Sequence, residues 1–313
     1  MTGTKAPAIE ADRARLEAHR SLLIDEFREV LAGRTAVYVD YPHYLNVGDW
    51  LIYLGALSLL SILNVRIKAR VSAKNYQRLL AIDIPRSWAI ILQGGGNFGD
   101  LYPVHQEVRR AVISRFPDND VILMPQSVHF EEPQAWIDSS AIFSEHRHLC
   151  VYVRDRESSD ILNRVLDPDR VRLAPDMAMM LVGQWPWKSV SGSRTLVFRR
   201  RDQESLHPEV RLTDATGFDW EDLFSGLDIQ IHRRLVGLAR LEKSWGCDLG
   251  AVRIWELLMR RGLHRAHRQF EPFDTIDADR LHGVLFGLLL GKKVIAHDNS
   301  YSKISRYANC WLD

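Results

Sequence analysis

The sequence is poor in cysteine, with only three among its 313 residues. Cys150, Cys247 and Cys310 are far apart in the chain and odd in number. They predict neither a disulfide framework nor a Cys-x-x-Cys metal site, and they favour a reducing compartment, so we expect a cytoplasmic protein. Because no histidines or carboxylates have the spacing of metal ligands either, we expect no metal.

The sequence also lacks an excess of either charge and lacks long hydrophobic runs. Its 41 basic and 40 acidic residues give a net charge of +1. This balance argues against a chain-wide basic surface for nucleic acid but allows a local cationic pocket. Met1–Arg20 is too polar for a signal peptide. Leu51–Leu63 and Val284–Leu290 are shorter than the ~18 to 20 apolar residues that a membrane span needs. We therefore expect that the protein is not an integral membrane protein.

Short apolar runs alternate with longer amphipathic segments along the chain. The runs that predict strands are Ala36–Val39, Val65–Arg70, Trp88–Leu92, Val121–Met124, Leu149–Val153, Val171–Leu173 and Thr195–Phe198. The segments that predict helices lie near residues 8–31, 50–63, 74–81, 104–115, 133–146, 156–166, 230–244 and 249–261. A further strand, helix and strand close the chain. Such alternation predicts an α/β fold with parallel sheets.

The alternation is interrupted once, between residues 183 and 193, by a segment rich in Pro, Gly and Ser. Such composition is typical of a linker between domains. We therefore predict an N-terminal domain of residues 1–184, a linker of residues 185–193 and a C-terminal domain of residues 194–313. The last helix could return to pack on the N-terminal domain.

A glycine-rich segment follows the third predicted strand. Gly94, Gly96 and Gly99 match the literal spacing of the dinucleotide fingerprint, which also requires a helix at its third glycine and an acid about 20 residues on. Here Asp100 and Pro103 follow at once, and the next predicted strand ends without an acid. We therefore expect no nicotinamide or flavin cofactor. The segment is either a tight turn or a turn whose bare backbone lets a ligand approach closely.

Polar residues mark the ends of several predicted N-terminal strands, where α/β folds bind ligands. Asn46 and Asp49 follow the first strand, and Gln126 and Arg154 follow later ones. Each has a purely structural alternative, since Asp49 could cap a helix and Arg154 could form a surface pair with Asp155. In the functional interpretation these side chains face a cleft, where Asn46 and Asp49 could hold sugar hydroxyls.

Cationic residues mark the corresponding strand ends in the C-terminal half. One of Arg199 and Arg200 could bind a carboxylate or phosphate, while another arginine of the same run is solvated. Arg280 and His282 lie where a helix is predicted to begin, and Lys303 lies beyond the next strand. Although a lone histidine is more often structural, these neighbours predict an anion site beside a group that can transfer protons.

Taken in order, these motifs resemble the polysaccharide pyruvyl transferase family. The matching pieces are Asn46-Val-Gly-Asp49, Gly94-Gly-Gly-Asn-Phe-Gly-Asp100, Pro125-Gln-Ser-Val128, Arg154-Asp155, Pro175-Asp176-Met-Ala178, Phe198-Arg-Arg-Arg-Asp202-Gln-Glu204, Asp279-Arg-Leu-His-Gly283 and Asp298-Asn-Ser-Tyr-Ser-Lys303. The opening Tyr38-Val-Asp-Tyr-Pro-His43 is similar to the bacterial exopolysaccharide branch. The chain departs from the family pattern at Ser302, where glycine is common, and at Asp277-Ala278.

The resemblance implies two Rossmann-like domains facing each other across a cleft, similar to GT-B glycosyltransferases. It implies that phosphoenolpyruvate is the donor, with no separate cofactor, and that a saccharide is the acceptor of a pyruvate ketal. In this hypothesis the catalytic residues are His282, as the acid or as an acid–base relay, together with Asp100 and Asp49. The donor would be bound by Arg154, Arg199, Arg280 and Lys303. The acceptor side or its loop would be formed by Asn46, Gly95, Gly96, Asn97 and Gln126.

Two other functions are compatible with this architecture. A nucleotide-sugar glycosyltransferase would bind its donor in the C-terminal domain, but no convincing Glu-rich motif follows Asp279–Gly283. A non-catalytic carbohydrate-binding subunit would tolerate the loss of His282 or the arginines, and all of them are present. The acceptor could be lipid-linked or nucleotide-linked, so peripheral contact with membrane-bound polysaccharide machinery at the inner face of the membrane is compatible with the sequence.

Overall fold

The computed structural model of the protein describes residues 8–188, 192–201, 217–245, 250–298 and 302–312. Its strands are β1 (Ala8–Ile9), β2 (Thr35–Val39), β3 (Arg66–Val71), β4 (Ala89–Leu92), β5 (Gly95–Gly99), β6 (Val121–His129), β7 (Leu149–Val153), β8 (Val171–Leu173), β9 (Thr195–Phe198), β10 (Thr275–Ala278) and β11 (Lys293–Ala296). Its α-helices are α1 (Arg13–Leu31), α2 (Val47–Ile62), α3 (Gln77–Leu80), α4 (Pro103–Arg115), α5 (Pro133–Glu145), α6 (Arg156–Leu162), α7 (Gly226–Trp245), α8 (Ala251–Phe270), α9 (Leu281–Leu289) and α10 (Lys303–Trp311). The predicted α/β class with parallel sheets is confirmed.

The first sheet has the strand order β3-β2-β4-β6-β7-β8, and β5 pairs with the far end of β6. All of these pairings are parallel. The central strand β4 is buried along its whole length, as expected for a parallel sheet covered on both faces. Apolar residues of α1 and α2 pack on one face, and those of α3, α4, α5 and α6 pack on the other.

The second sheet has the order β1-β11-β10-β9, in which β9, β10 and β11 are parallel. Its edge strand β1 comes from the other end of the chain and pairs with β11 in antiparallel orientation. The predicted helix over residues 8–31 was therefore wrong at its start. Residues 8 and 9 form a strand, and α1 begins at Arg13. Asp12 is its N-cap, and its side chain accepts a hydrogen bond from the backbone N–H of Arg15.

One hydrophobic core joins the elements of the two sheets. It includes residues of α1, α2, α8, α9 and α10 together with β10 and β11. The contact between α2 and the 3-10 helix Met177–Leu181 is so close that a side chain at Gly55 would lie 2.0 Å from the Met177 carbonyl oxygen. Within the predicted linker, Trp185 packs against Phe286 at 5.1 Å between ring centroids. The domain boundaries drawn from the sequence stay a prediction.

The last helix contacts elements that precede the predicted linker. Arg306 of α10 forms an ion pair with Asp155, and the indole of Trp311 donates a hydrogen bond to the carbonyl of Arg154. The hydroxyl of Tyr307 accepts a hydrogen bond from the backbone of Asp176. These contacts hold the start of α10 beside the carboxyl ends of the first sheet.

Two segments differ from their predicted form near those strand ends. The strand predicted to end at Met124 continues as β6 to His129, with a pairing irregularity against β7 between Leu123 and Gln126. The glycine-rich segment, predicted as a turn, forms β5 alongside this extension. A Cβ atom at Gly99 would lie 1.6 Å from the His129 carbonyl oxygen, so only glycine permits this approach.

In the part of the chain that the structure describes, no helix is both long enough and apolar enough to cross a membrane.

Candidate active site

A cavity of about 480 Å³ lies where the carboxyl ends of the two sheets meet. Its walls come from segments that follow β2, β4, β9, β10 and β11, which is where α/β folds place their ligands. The residues that line it are Tyr44, Leu45, Asn46, Gly48, Asp49, Gly96, Asn97, Tyr102, His105, Arg200, Trp220, Arg280, Leu281, His282 and Lys303.

Helices α2, α9 and α10 begin at this cavity, as does α4, whose N-cap residue Tyr102 lines it. Asn46 is the N-cap of α2, where its side chain accepts a hydrogen bond of 2.9 Å from the backbone of Gly48. Arg280 occupies the N-cap position of α9, and Lys303 is the first residue of α10. Because backbone N–H groups at helix starts lack partners within the helix, these ends contribute positive potential to the cavity.

His282 lies in the first turn of α9 and is held from behind by a buried carboxylate. Its Nε2 atom is 3.4 Å from Oδ2 of Asp176, which also pairs with Arg154. Burial alone would raise the pKa of Asp176, but His282 and Arg154 outweigh it and hold that pKa well below its usual range. Asp176 is therefore an ionised, fully buried partner shared by a histidine and an arginine.

Arg154 is itself fully buried, and it lies directly behind the cavity wall formed by Gly96. Its Nε donates to the hydroxyl of Ser127, and its Nη2 has no hydrogen-bond partner among the described residues. A Cβ atom at Gly96 would lie 3.1 Å from this Nη2 and 2.0 Å from Nζ of Lys303. Because Gly96 has no side chain, there is room for the Lys303 ammonium and the Arg154 guanidinium to approach the same part of the wall.

The arginine run after β9 is divided between three environments. Arg199, predicted to bind the donor, turns away from the cavity and forms an ion pair of 2.6 Å with Asp277. Arg200 lines the cavity, with its backbone N–H bonded to Asp279. Arg201 forms an ion pair with Asp222 at the surface. The cation that this run supplies to the cavity is therefore Arg200.

Arg280 lines the cavity as predicted by its position, but much of its guanidinium is engaged. Its Nε and Nη2 atoms donate to the two carboxylate oxygens of Asp219, at 2.6 and 2.7 Å. Asp219 is fully buried and also caps the 3-10 helix Trp220–Leu223. This bidentate pair fixes the guanidinium plane beside His282.

The wall that the first sheet contributes contains a second histidine, and it is paired with an aspartate. Nδ1 of His105 is 2.7 Å from Oδ2 of Asp40, a buried residue in the left-handed region at φ 65°. Burial alone would lower the pKa of His105, but the hydrogen bond and charge of Asp40, with the charge of Asp49, raise it. Burial, together with the charges of Asp49 and Asp40, raises the pKa of the Tyr44 hydroxyl beside this pair. This wall therefore carries carboxylates and a basic imidazole.

The remaining predicted residues of the glycine segment support that wall. The amide oxygen of Asn97 accepts from Arg109, which also donates to the fully buried Gln126. Gln126 in turn donates to the carbonyl of Gln93, so it braces strand ends behind the cavity. Gly95 lies behind the cavity surface as well, at φ 123°, where a Cβ would be 3.1 Å from Ile52.

Asp100, predicted as a catalytic residue, is not among the residues that line the cavity. Its carboxylate accepts hydrogen bonds from the backbone N–H groups of Glu131 and Glu132, at 2.6 to 3.0 Å, immediately before α5. The structure therefore places Asp100 as a brace between β5 and the start of α5. We therefore assign no catalytic step to Asp100.

The structure thus brings seven of the predicted residues into one cavity: Asn46, Asp49, Gly96, Asn97, Arg280, His282 and Lys303. Arg154, Gly95 and Gln126 lie behind its wall, while Arg199 and Asp100 have other partners. The sequence arguments did not select Asp176, His105 or Asp40 as site residues, and they named Arg200 only as the alternative to Arg199 before assigning Arg199 to the donor. Asp176 and Arg200 did lie within the motifs that carried the resemblance, so a signal for them was present.

Comparison with known proteins gives the family. Residues 46–301 match the family model for polysaccharide pyruvyl transferase, which is most of the chain. The chain belongs to the polysaccharide pyruvyl transferase family. This membership supports a transferase that places a pyruvyl group on a polysaccharide, so its acceptor is a saccharide. The resemblance drawn from the ordered motifs is confirmed.

Two curated relatives and one solved structure cover nearly the same extent of chain. "Putative pyruvyl transferase EpsO" of Bacillus subtilis is 30% identical over 277 residues, 88% of this chain and 85% of that protein. "Pyruvyl transferase 1" of Schizosaccharomyces pombe is 31% identical over 328 residues, 99% of this chain and 78% of that protein. The crystal structure of a functionally uncharacterised Klebsiella pneumoniae protein has a TM-score of 0.58 at 20% identity, covering 94% of this chain and 93% of that one. This last likeness concerns the fold alone.

Within the described residues, no group of three or more histidine, cysteine, aspartate or glutamate side chains could hold a metal ion. The expectation that the protein works without a metal stays a prediction.

Proposed function

We propose that this family member transfers the pyruvyl group of phosphoenolpyruvate to two hydroxyls of a sugar, forming a cyclic ketal and releasing phosphate. The observation that carries the proposal is the division of the cavity. Arg200, Arg280, His282 and Lys303 line it from segments that follow strands of the second sheet, while Asp49 and His105, whose imidazole pairs with Asp40, line it from segments that follow strands of the first. Such a cavity can bind an anionic donor and a polyhydroxyl acceptor side by side.

The cationic wall suits a donor that carries both a phosphate and a carboxylate. Arg200 and Lys303 line the cavity, and Arg154 lies behind Gly96 with Nη2 directed toward it. Arginine binds such groups through paired donors, and the starts of α9 and α10 add backbone N–H groups. We assign Arg200 to donor binding in place of Arg199, whose guanidinium is bound to Asp277.

His282 is the group that delivers a proton to the methylene carbon of the donor. This step converts the methylene to a methyl group and leaves an electron-poor C2, which a sugar hydroxyl attacks. The carboxylate of Asp176, 3.4 Å from Nε2, stabilises the imidazolium before the transfer. The C2–O bond to phosphate then breaks, and the second hydroxyl closes the ring.

The wall that the first sheet contributes receives protons from the acceptor. Asp49 and His105 both line the cavity, and a carboxylate and a neutral imidazole can each accept a proton from a hydroxyl. Asn46 and Tyr44 lie beside them and can bind neighbouring hydroxyls. In total two hydroxyl protons are released. One replaces the proton that was given to the methylene carbon, and the other leaves on the phosphate.

The same proposal covers the domain arrangement, the acceptor and the location of the protein. The two sheets with their helices act as two Rossmann-like domains across a cleft, in the manner of GT-B glycosyltransferases. The acceptor is an exopolysaccharide or its precursor, in lipid-linked, nucleotide-linked or polymeric form. The protein works in the cytoplasm, at the inner face of the membrane where such precursors are assembled.

The test is phosphate release from phosphoenolpyruvate across a panel of sugar acceptors, with the product mass measured. We expect a mass gain of one pyruvic acid less one water, because both hydroxyl oxygens stay in the product as the two ketal oxygens. His282→Ala should abolish the reaction while leaving the fold intact, and a wild-type rate in this variant would refute the role of His282. Transfer of a glycosyl group from a nucleotide sugar, with release of the nucleotide and with no phosphate release from phosphoenolpyruvate, would refute the reaction itself.

Arg199 and Arg200 offer a matched pair of variants for the donor site. Arg200→Gln should raise the KM for phosphoenolpyruvate by about tenfold or more, the loss expected for one charge-assisted contact. Arg199→Gln should leave this KM nearly unchanged, since Arg199 is bound to Asp277. If the KM rose in Arg199→Gln and stayed unchanged in Arg200→Gln, Arg199 and not Arg200 would be the residue that contacts the donor.

A further inference from the structure

The two long helices α7 and α8 carry an unusual concentration of arginine. Residues 226–241 and 250–270 contain eight arginines and two acidic residues, a net charge of +6. Because the whole chain carries +1, the remainder of the sequence carries −5. The molecule therefore has one strongly basic element on an otherwise acidic chain.

Most of these arginines lie in solvent. Those that are exposed and form no ion pair among the described residues are Arg233, Arg234, Arg253, Arg260, Arg261 and Arg268. Arg265 differs, since it pairs with Asp228 at 2.7 Å and thereby joins the end of α8 to the start of α7. The two helices consequently run antiparallel, and they are in contact with each other.

Large apolar side chains lie among these arginines. On α8, Ile254 is 41% exposed and Leu257 is 60% exposed, and they share a helix face with Arg253, Arg260 and Arg261. On α7, the exposed apolar residues are Leu227, Ile229 and Leu241. A surface that only bound a soluble polyanion would not need leucines at its most exposed positions.

We propose that this outer face of α7 and α8, which we call the Arg–Leu face, binds the anionic surface of a phospholipid membrane. Arginines attract anionic headgroups, and leucines between them insert at the boundary with the acyl chains. Each α7 or α8 helix of 20 residues is about 30 Å long, which gives the face the length of a typical interfacial helix.

The Arg–Leu face is separate from the cavity but adjoins it. Trp220, which lines the cavity, lies in the 3-10 helix that leads directly into α7. Arg265 also donates a hydrogen bond to the carbonyl of Leu223 at the end of that helix. Binding through this face therefore holds the cavity near the membrane, where a lipid-linked saccharide would be presented.

The experiment is co-sedimentation of the full chain with vesicles of phosphatidylcholine alone or mixed with phosphatidylglycerol. We expect binding only to the vesicles that contain phosphatidylglycerol, and weaker binding as salt is added. Arg260→Gln with Arg261→Gln should weaken binding by about 30-fold. Leu227→Ser with Leu257→Ser should weaken it by about tenfold or more.

Matched controls lie elsewhere on the surface. Arg147→Gln with Arg164→Gln removes the same charge from exposed positions, and Ile137→Ser removes an apolar side chain that is 55% exposed. Neither should change vesicle binding. Phosphate release with a water-soluble acceptor should stay at the wild-type rate in all of these variants, so a failed reaction and a failed membrane contact are told apart.

Three results would overturn the proposal. One is equal binding of the wild-type chain to both kinds of vesicle. Another is full binding by the leucine variant together with competition by a soluble polyanion, which would assign the face to a nucleic acid or an acidic polysaccharide. The third is equal weakening by the control variants. The salt titration uses the wild-type chain alone, so a variant that fails to fold does not remove the test.

Discussion

Replacing Asp176 by asparagine tests the buried support of the site. Asp176 is fully buried, forms an ion pair with the equally buried Arg154, and lies 3.4 Å from His282. Its other oxygen accepts a hydrogen bond from Ala178. Asparagine can keep the bond to Ala178, but its amide cannot neutralise either cation. We therefore expect Asp176→Asn to lower both the stability of the fold and the rate of turnover.

The size of the stability loss follows from burial. Removing one partner of a buried ion pair costs about 3–5 kcal/mol. For a chain of 313 residues the entropy of unfolding is roughly 0.66 kcal/mol/K, so the thermal midpoint should fall by about 5–8 °C near neutral pH. The pKa of Asp176 is held below its ordinary value of 3.8. The stabilisation is therefore present above that value and is lost as the pH falls further, so wild type and variant should converge in acid.

The assay combines thermal unfolding with steady-state phosphate release. Asp228→Asn is the control, since it makes the same chemical change in an ion pair with Arg265, away from His282. Both variants should lose stability, but only Asp176→Asn should lose kcat, because only Asp176 contacts the proposed acid. An unchanged midpoint in Asp176→Asn would refute the energetic argument. A wild-type kcat in a folded variant would refute its role in positioning His282.

Three further predictions concern the walls of the cavity. Gly96→Ala should raise the KM for phosphoenolpyruvate by about tenfold or more with little loss of stability, since the new Cβ displaces the flexible end of Lys303; an unchanged KM would contradict this. The raised pKa of His105 means that its pair with Asp40 stabilises the fold below pH 6.5 and loses this effect as the pH rises through the raised value. Urea unfolding of His105→Gln should therefore show a larger loss in mild acid than in alkaline solution, and the reverse trend would count against the pair. Ser302→Gly should increase the free energy of unfolding in urea by about 0.5–1 kcal/mol, because Ser302 is left-handed at φ 57°.

Much of the fold could be predicted because strands and helices have different apolar periods. The predicted strands Leu149–Val153, Val171–Leu173 and Thr195–Phe198 agree with β7, β8 and β9 to the residue. The two strands that were missed have no local signal. β1 has two residues and exists through pairing with β11, while β5 contains three glycines and exists through pairing with β6.

The candidate site was predictable in part, for a related reason. Polar residues at strand ends indicate which segments meet, and this rule correctly predicted that His282 and Lys303 lie in one site. It could not distinguish Arg199 from Arg200, because that choice depends on the partners Asp277 and Asp279 on the neighbouring segment. It could not select His105 either, since His105 lies in α4 and meets Asp40 across 65 residues of chain.

The structure places two histidine–aspartate pairs at one cavity, and the proposed reaction has a use for both. His282, backed by Asp176, lies among the cations, while His105, backed by Asp40, lies beside Asp49. Ketal formation releases two hydroxyl protons on the acceptor side and consumes one at the methylene carbon on the donor side. If one imidazole served both substrates, it would have to take up a proton from the acceptor again after giving one to the donor. Two separate pairs at the cavity allow both transfers in one complex, and the phosphate leaves with the second proton.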